Sequence, residues 1–292
     1  MSQSPSSLKQ TAEQEASRLP YLLARADHLA GSVLMGEHGR RRAGQGDDFW
    51  QYRPMQAGDS RRMIDWRRSA RSDTQFVREK EWQIAQSVQL WIDPAASMRF
   101  ASSDTLPDKS DRARLIGLAL SILLLRAGER VGLLGGLLPP RRGEVQITRL
   151  AQALSEDQDA DYAAPDTRGL IAHASAVFMS DFLADPAPVL SALTDAADRG
   201  VRGVLFQVLD PAEESFPFRG RTLFESVAGS LSHETLKASE LRENYLERLA
   251  RRKAELEAMC AVVGWRYHCH HTSESAQSAL LWLYQAIDGA RR

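Results

Sequence analysis

The strongest constraint on the fold is an alternation of short apolar segments with amphipathic segments, which starts at Ser87 and continues through the rest of the sequence. The apolar segments have the length of buried strands, and they span 87–92, 130–135, 175–179, 202–209 and 265–269. The amphipathic segments have helical periodicity, and they span 111–126, 149–155, 186–199, 239–263 and 274–288. Strands and helices that alternate at this spacing form a mostly parallel sheet covered by helices on both faces. We therefore predict an α/β fold.

The remaining segments predict how the chain is organised around this sheet. Residues 1–18 are rich in Ser and Gln, which indicates a disordered tail. Residues 19–86 contain one predicted helix, Leu19 to Ala30, and a polar, Arg-rich region that we expect to pack on the main domain. The main domain is predicted to span 87–292 and to contain an inserted β-hairpin near 215–238, where two short runs flank a Gly- and Ser-containing turn.

The bulk composition is typical of a soluble globular protein, since 43% of the 292 residues are apolar, 26% are charged and the net charge is −1. Such a balance gives no general attraction to nucleic acids or membranes. Two cysteines cannot form a disulfide framework, and the amino-terminal segment lacks the apolar core of a signal peptide. The longest apolar run, 115–125, is shorter than the roughly 20 residues that a membrane helix needs. We predict a cytoplasmic protein without membrane insertion.

Acidic residues follow two of the predicted strands, at the edge where open α/β sheets bind ligands. Asp93 follows the first strand and Asp181 follows the third. If these strands are neighbours, the two carboxylates face each other, and they repel or share a proton unless a cation lies between them. Mg²⁺ prefers oxygen ligands of this kind, so Asp93, Ser97 and Asp181 are candidate ligands of a divalent cation.

The same residues also have a simpler interpretation. A pattern Asp-x-Ser-x-Ser at a strand end supplies a carboxylate and two hydroxyls, but this chain has Ala95 at the middle position. Asp93 and Ser97 would then only cap the turn and the helix that follow the strand. Both interpretations are open at the level of the sequence.

A second candidate surface is the polar segment Arg53–Arg71, in which arginines surround two carboxylates and a tryptophan. Guanidinium groups bind carboxylates in pairs, which gives this segment the chemistry of a docking surface. The candidate partner-binding residues are Arg53, Asp59, Arg62, Asp65, Trp66 and Arg71. Alternatively, the two carboxylates pair with these arginines inside the fold, and Ile64 and Trp66 are buried. Nearby acids dilute the basic charge, so we expect no nucleic-acid partner.

Cys260 and the run His268–His271 contain side chains of the type that binds zinc. Successive residues of a strand point to opposite faces, so His268 and His270 lie on one face and Cys269 lies on the other. This arrangement divides the potential ligands. A buried cysteine and strand histidines are therefore the preferred interpretation.

Motifs of nucleophilic or phosphate-based catalysis are missing from the sequence. It contains no Gly-x-Ser-x-Gly turn, no phosphate-binding loop of the Gly-x-x-x-x-Gly-Lys type and no Gly-x-Gly-x-x-Gly after a strand. Aspartyl-phosphate hydrolases of the haloacid-dehalogenase type carry a second Asp two residues after the nucleophile, where this chain has Ala95. We predict that the protein is not an enzyme.

The residues Gly58-Asp59, Ile64-Asp65-Trp66 and Ser69-Ala70-Arg71, followed by an acid at a strand end, resemble a large bacterial family. That family is catalogued as a domain of unknown function, number fifty-eight, and is related to von Willebrand factor type A domains. Further matching positions, such as Arg78-Glu79, extend the resemblance over roughly residues 30–288.

The resemblance implies a von Willebrand factor A-like sheet with a metal-ion-dependent adhesion site at one edge. In such sites the ion keeps one coordination position open for a carboxylate of a partner protein. Asp93, Ser97 and Asp181 match the positions of the ligands, with Mg²⁺ as the implied ion. The usual Thr ligand has two weak counterparts, Thr148 and Thr167.

The resemblance also implies a partner. Relatives of this type are commonly encoded beside MoxR-type ATPases, which are AAA+ machines associated with chaperone activity. We therefore expect an adaptor that works with such an ATPase in the assembly or maturation of client proteins. The resemblance implies no particular oligomeric state. Two alternatives are a Mg²⁺-dependent phosphoester hydrolase that uses Asp93 and Asp181, and a structural scaffold whose metal site is lost. Ala95 favours adhesion-like binding or a lost site over catalysis.

Overall fold

The computed structural model describes residues 22–33, 49–55, 64–71, 74–80, 86–156, 158–227, 229 and 232–289. The chain forms two compact units, a smaller one within Glu37–Ala85 and a larger one that contains the remaining residues. The predicted tail, residues 1–18, lies outside the described residues. Within the described part of the chain, every helix is too short or too polar to cross a lipid bilayer.

Helices and strands alternate along most of the chain, as expected from the sequence pattern. In chain order the elements are α1 (22–33), β1 (Phe49–Pro54), α2 (Trp66–Ser69), β2 (Phe76–Lys80), β3 (Ser87–Ile92), α3 (Lys109–Arg126), β4 (Arg130–Leu133), β5 (Leu138–Arg141), α4 (Glu144–Leu154), β6 (Ser175–Ser180), α5 (Ala187–Asp198), β7 (Arg202–Leu209), α6 (Pro211–Ser215), β8 (Thr222–Glu225), β9 (Ser232–Thr235), α7 (Ala238–Val263), β10 (Arg266–His271) and α8 (Ala276–Gly289).

The centre of the larger unit is a six-stranded sheet with the order β10-β7-β6-β3-β4-β5. All neighbouring strands are parallel except β4 and β5, which are antiparallel. Helices cover both faces of the sheet. The structure thus confirms the prediction of a mixed α/β fold with a mostly parallel central sheet.

Each central strand supplies side chains to two cores, because successive residues of a strand point to opposite faces. Leu90 of β3 lies in the core that contains Ile116 of α3 and Leu280 of α8. The next residue, Trp91, lies in the other core with Leu193 of α5. Helices α1, α3, α4 and α8 contribute to the first core, and α5 and α7 contribute to the second. Burial on both faces explains why these strands are almost continuously apolar in the sequence.

Helix α3 begins at Lys109, earlier than the predicted start at residue 111. The carboxylate of Asp108 accepts a hydrogen bond from the backbone N–H of Asp111 at 2.6 Å, which satisfies a free donor of the first turn. Because of this early start, Lys109 is the first residue of a helix that packs on the sheet.

The sequence analysis predicts neither β5 nor the first residues of α4. Pro139 and Pro140 argue against a strand because proline lacks the N–H of a ladder hydrogen bond, but β5 is an edge strand, where proline is tolerated. The side-chain amide of Gln146 in α4 donates to the backbone oxygens of Val131 at 2.8 Å and Pro139 at 3.0 Å. This buried amide therefore holds the amino-terminal part of α4 against the edge of the sheet.

Two smaller predictions also have structural counterparts. Strands β8 and β9 pair in antiparallel orientation at the position of the predicted hairpin. Helix α1 occupies most of the predicted segment but continues through Gly31, where the sequence predicted its end. Ala26 and Ala30 of α1 are buried in the first core of the larger unit.

In the part of the smaller unit that the structure describes, the elements are the antiparallel pair β1 and β2 and the four-residue helix α2. Asp65 caps α2, since its side chain accepts a hydrogen bond from the N–H of Arg68 at 3.0 Å. The hydroxyl of Ser69 donates to the backbone oxygen of Asp65 at 2.8 Å and accepts the N–H of Phe76 at 2.9 Å. Local polar contacts thus connect α2 to β2.

Candidate functional site

Strands β3, β6 and β7 end side by side at the carboxyl edge of the sheet, and an aspartate follows each of them. These residues are Asp93, Asp181 and Asp210, and all three are buried. The chain continues from β3 to β4 on one side, whereas β6 and β7 lie on the other side, so the connections reverse direction between β3 and β6. Ligand sites of open α/β sheets lie at such a reversal. Asp93 and Asp181 therefore lie at the strand ends where the sequence analysis placed them.

Asp93 is held by neutral hydrogen-bond donors. Its Oδ1 accepts the backbone N–H of Ala95 at 2.8 Å, and its Oδ2 accepts the hydroxyl of Ser180 at 2.6 Å. Burial raises the pKa of Asp93 to about 6, although these two hydrogen bonds act in the opposite direction, and the nearby Asp181 raises it further. Both oxygens of Asp93 thus accept a hydrogen bond, and neither of these two donors is charged.

Asp181 forms a buried ion pair with a lysine of the same chain, Lys109. The ammonium of Lys109 donates to Oδ2 of Asp181 at 2.8 Å and to Oε1 of Glu213 at 2.6 Å. Lys109 is only 1% exposed. Burial alone would lower the pKa of Lys109, but the carboxylates of Asp181 and Glu213 raise it above its ordinary value. The ammonium is therefore charged, and the ring of Phe100 lies 5.8 Å from it, measured to the ring centroid.

Glu213 reaches Lys109 from the short helix α6. Asp210 and Glu213 form a capping box, in which Asp210 accepts the N–H of Ala212 at 2.7 Å and Glu213 Oε2 accepts the N–H of Asp210 at 2.8 Å. The second oxygen of Asp210 accepts the N–H of Ser102 at 2.9 Å. Glu213 thus has one oxygen on the helix cap and the other on the lysine.

Ser97 lies in a 3-10 turn that follows β3, spanning Ala96–Met98. Its N–H donates to the backbone oxygen of Asp161 at 2.9 Å. Its hydroxyl oxygen is buried and forms no hydrogen bond with the described residues. The candidate Thr167 is half-buried, and its hydroxyl donates to the carboxylate of Asp195 at 3.1 Å.

These side chains do not fit a divalent cation. Mg²⁺ requires a nearly octahedral set of oxygen ligands. Here Asp93 already accepts two hydrogen bonds, and Asp181 already binds the ammonium of Lys109. The described residues contain no group of three His, Cys, Asp or Glu side chains arranged to hold a metal ion. The hydroxyl of Ser97 is the donor that would suit a cation, and one hydroxyl is insufficient.

An aromatic groove of about 600 Å³ lies directly beside this ion-pair cluster. Its lining residues are Phe100, Glu213, Phe216, Phe218, Phe224, Leu241, Asn244, Tyr245 and Arg248. The rings of Phe216 and Tyr245 are 4.8 Å apart between centroids. Burial, followed by the charge of Glu213, raises the pKa of Tyr245 to about 12, so its hydroxyl stays neutral beside the cluster. Arg248 is exposed and forms no ion pair with the described residues.

The arginine-rich candidate surface is only partly described. Asp59 and Arg62 lie outside the described residues, and the side chain of Arg53 in β1 is not described. Trp66 is 59% exposed and Arg71 is exposed, whereas Ile64 is buried. The alternative that buries both Ile64 and Trp66 is therefore wrong for the tryptophan.

The cysteine and histidine residues near the carboxyl terminus lie on different faces of the sheet. The rings of His268 and His270 stack on Phe206, at centroid distances of 5.4 and 5.7 Å. Cys260 is buried in the core on the opposite face. The buried position of Cys260 agrees with the preferred interpretation of the sequence, a core cysteine beside strand histidines.

Comparison with family models identifies a match over residues 51–255 to the family described as Protein of unknown function DUF58. The chain belongs to this family. Comparison with curated proteins gives no match.

Three solved structures are similar to this DUF58 protein at low identity. The conserved hypothetical protein BatB from Bacteroides thetaiotaomicron has 15% identity and a TM-score of 0.41, covering 71% of this chain and 99% of its own. An aerotolerance-related membrane protein from Bacteroides fragilis NCTC 9343 has 16% identity and a TM-score of 0.39, covering 70% and 100%. An uncharacterized membrane spanning protein from Vibrio fischeri has 14% identity and a TM-score of 0.19, covering 71% and 98%.

Sequence reasoning missed the two residues that complete the cluster of this DUF58 protein, Lys109 and Glu213. A signal for the lysine existed, because the chain uses Lys rarely and otherwise prefers Arg. Lysine differs from arginine in offering a compact ammonium on a flexible stem, whereas arginine offers a planar guanidinium. Glu213 is recognisable as the glutamate of an Asp-Pro-x-Glu pattern, in which it is the third residue of the helix after the cap Asp210, and this pattern is typical of a capping box.

Proposed function

We propose that this DUF58 protein is a non-enzymatic adaptor that binds other proteins, with a von Willebrand factor A-like larger unit. Its partner is a MoxR-type AAA+ ATPase, with which it acts in the cytoplasm on the assembly or maturation of client proteins. The observation that carries the proposal is the aromatic groove beside the cluster of Lys109, Asp181 and Glu213. A concave apolar surface next to fully engaged polar groups suits binding better than chemistry.

The state of the acidic residues supports binding over hydrolysis. A metal-dependent phosphoester hydrolase needs carboxylates that hold Mg²⁺ and leave a coordination position for water. In this protein Asp181 is bound to an ammonium and Asp93 is bound to a hydroxyl and an amide N–H. Glu213 is shared between the lysine and its own helix cap. None of these three acids is a free base or nucleophile.

The groove defines the chemistry of its occupant. Its walls are aromatic and aliphatic, so they suit an apolar side chain of the partner. Arg248 at the lining is exposed, and a guanidinium binds a carboxylate in a bidentate manner. The occupant is therefore a segment of the ATPase that carries an aromatic or large aliphatic residue close to an acidic residue.

Calorimetric titration of the purified chain with the MoxR-type ATPase of its source organism tests this proposal. We expect Tyr245→Ala and Arg248→Glu each to weaken binding by about tenfold or more, because the first removes a wall of the groove and the second reverses its charge. Val262→Ser is the matched control, since Val262 lies on the same helix and is 87% exposed. It is expected to bind like the wild type.

Two results would contradict the adaptor function. One is equal affinity of the groove variants, the control and the wild type for the ATPase. The other is Mg²⁺-dependent hydrolysis of a phosphate ester that disappears in Asp181→Asn, which would favour the hydrolase instead.

A further inference from the structure

The carboxyl edge of the sheet contains a cation that the chain itself provides. The ammonium of Lys109 lies between Asp181, at the end of β6, and Glu213, in the helix after β7. The side chains of Lys109 and Asp181 are 1% and 3% exposed, and that of Glu213 is also largely buried. A buried carboxylate is stable only when a cation or several hydrogen-bond donors compensate its charge.

We propose that Lys109 is the resident cation of this edge, and that the folded protein consequently takes no divalent ion there. The proposal goes beyond the adaptor function and does not rest on it. It concerns the electrostatics of the fold, whatever partner the protein binds. It also replaces the Mg²⁺ ion that the resemblance implies with a residue of the chain.

The position of the ammonium supports this inference. Lys109 donates two short hydrogen bonds to two carboxylates, and the ring of Phe100 lies on another side of the ammonium. A divalent ion bound by Asp181 would lie within a few ångströms of this positive charge, and the two would repel strongly in a poorly screened interior. The protein therefore holds either the lysine or a metal ion at Asp181, and the structure contains the lysine.

A functional consequence follows for partner recognition. An adhesion-type metal ion accepts a carboxylate of the partner at an open coordination position. The ammonium of Lys109 cannot do so, because it is almost completely buried and already has two acidic partners. Binding of a partner at this edge is therefore independent of divalent cations, and chelators leave it unchanged.

The test starts with the wild-type protein. It is titrated with Mg²⁺ and with Mn²⁺ by calorimetry, and its thermal unfolding midpoint is measured with either ion and with a chelator. We expect no binding heat that depends on Asp181 and no shift of the midpoint. Binding of Mn²⁺ that disappears in Asp181→Asn overturns the proposal.

Two variants then examine the lysine itself. Lys109→Met keeps the length of the side chain but leaves Asp181 and Glu213 without their cation, so its midpoint is expected to fall by roughly 10 °C. The triple variant Lys109→Met, Asp181→Asn, Glu213→Gln removes all three charges at nearly constant volume. Its midpoint is expected to lie much closer to that of the wild type.

The pair of variants is informative even if Lys109→Met does not fold. A folded triple variant beside an unfolded single variant shows that the loss comes from unpaired charge, which supports the proposal. A single variant as stable as the wild type overturns it. The proposal also fails if the triple variant is destabilised as much as the single one, because packing and not charge would then explain the effect.

Discussion

The hydroxyl of Ser180 donates a hydrogen bond to Oδ2 of Asp93 at 2.6 Å, so the last residue of β6 holds the acid that follows β3. The other carboxyl oxygen accepts the backbone N–H of Ala95 at 2.8 Å. Both donors are neutral, and asparagine can keep both contacts: its oxygen accepts the N–H of Ala95, and its amide donates to the hydroxyl oxygen of Ser180. The junction between the two strands therefore depends on hydrogen bonding more than on the charge of Asp93.

We expect Asp93→Asn to fold and to have an unfolding free energy equal to or above that of the wild type at about pH 8. Asparagine keeps the oxygen that accepts the N–H of Ala95 and places an amide toward Ser180, while the cost of a buried charge disappears. Urea unfolding followed by circular dichroism measures the difference. A loss of more than about 2 kcal/mol would show that the charge itself is needed, as for a cation ligand.

Ser180→Ala is the complementary change at the same junction. It leaves a buried oxygen of Asp93 without its donor, and it also removes the acceptor of the N–H of Phe182 at 3.1 Å. We expect a loss of about 1–3 kcal/mol in unfolding free energy, because an unsatisfied buried polar group is costly. Wild-type stability of this variant in the same urea experiment would mean that the serine does not hold the acid in place.

His270 is expected to make the stability of the protein dependent on pH. The ring is 1% exposed, and burial, assisted by the charge of Arg112, lowers its pKa to about 4, although Glu274 opposes the shift. The unfolded chain binds a proton near pH 6.5, whereas the native ring stays neutral down to about pH 4. The contribution to stability is therefore complete above pH 6.5 and is lost as the pH falls toward 4.

Comparison with His270→Phe isolates this effect, because phenylalanine can stack on Phe206 but cannot bind a proton. We expect the difference in unfolding free energy between wild type and variant to change by up to about 3 kcal/mol across this pH range, in favour of the variant at low pH. Urea unfolding at a series of pH values measures it. A difference that is constant with pH would contradict the buried neutral state of the ring.

The centre of the parallel sheet was predictable because β3, β6 and β7 are buried on both faces and are therefore almost continuously apolar. Strand β5 was not predictable in the same way. Its two prolines lack the N–H groups of a sheet, and only its position at the edge makes them acceptable. The sequence of one segment cannot predict whether that segment is an edge strand, because its place in the sheet depends on the order of all the strands.

The candidate site was predictable in its acids but not in its cation. Asp93 and Asp181 follow apolar runs, so their place at the sheet edge follows from the strands alone. Lys109 precedes its partners Asp181 and Glu213 by 72 and 104 positions, and no local pattern connects them. A lysine at the start of a helix is usually solvated, so its burial here is a property of the tertiary structure.

Trp66 illustrates a different difficulty. One of the two interpretations of the arginine-rich segment expected Ile64 and Trp66 to be buried together. In the structure Ile64 is buried, whereas Trp66 is 59% exposed. Helix α2 has only four residues, so it has no periodicity from which the buried face can be deduced.

Gly203 and Gly31 are expected to respond to alanine with opposite signs. A Cβ atom on Gly203 in β7 would lie 2.1 Å from the backbone oxygen of Ala176 in β6, so the two central strands would have to separate. We expect Gly203→Ala to lose about 2–3 kcal/mol of unfolding free energy. A Cβ atom on Gly31 meets nothing within 4 Å, and Gly31 lies within helix α1.

Gly31→Ala is therefore the matched control, and it is expected to gain up to about 1 kcal/mol because alanine favours the helix. Thermal unfolding of both variants under the same conditions gives the comparison. The close approach of β6 and β7 is refuted if Gly203→Ala is as stable as the wild type.

Asp65 is expected to control the order of α2 in the smaller unit. Its side-chain oxygen accepts the N–H of Arg68 at 3.0 Å, and Asp65→Ala removes this cap at a cost of about 1 kcal/mol. Asp65→Asn retains a side-chain acceptor and is the matched control. Hydrogen exchange measured by NMR should show faster exchange of the Arg68 amide in the alanine variant and near-native exchange in the asparagine variant. Equal exchange in the two variants would mean that the carboxylate does not cap the helix, and that the shape of the turn comes from Ser69 and its hydrogen bonds to Asp65 and Phe76.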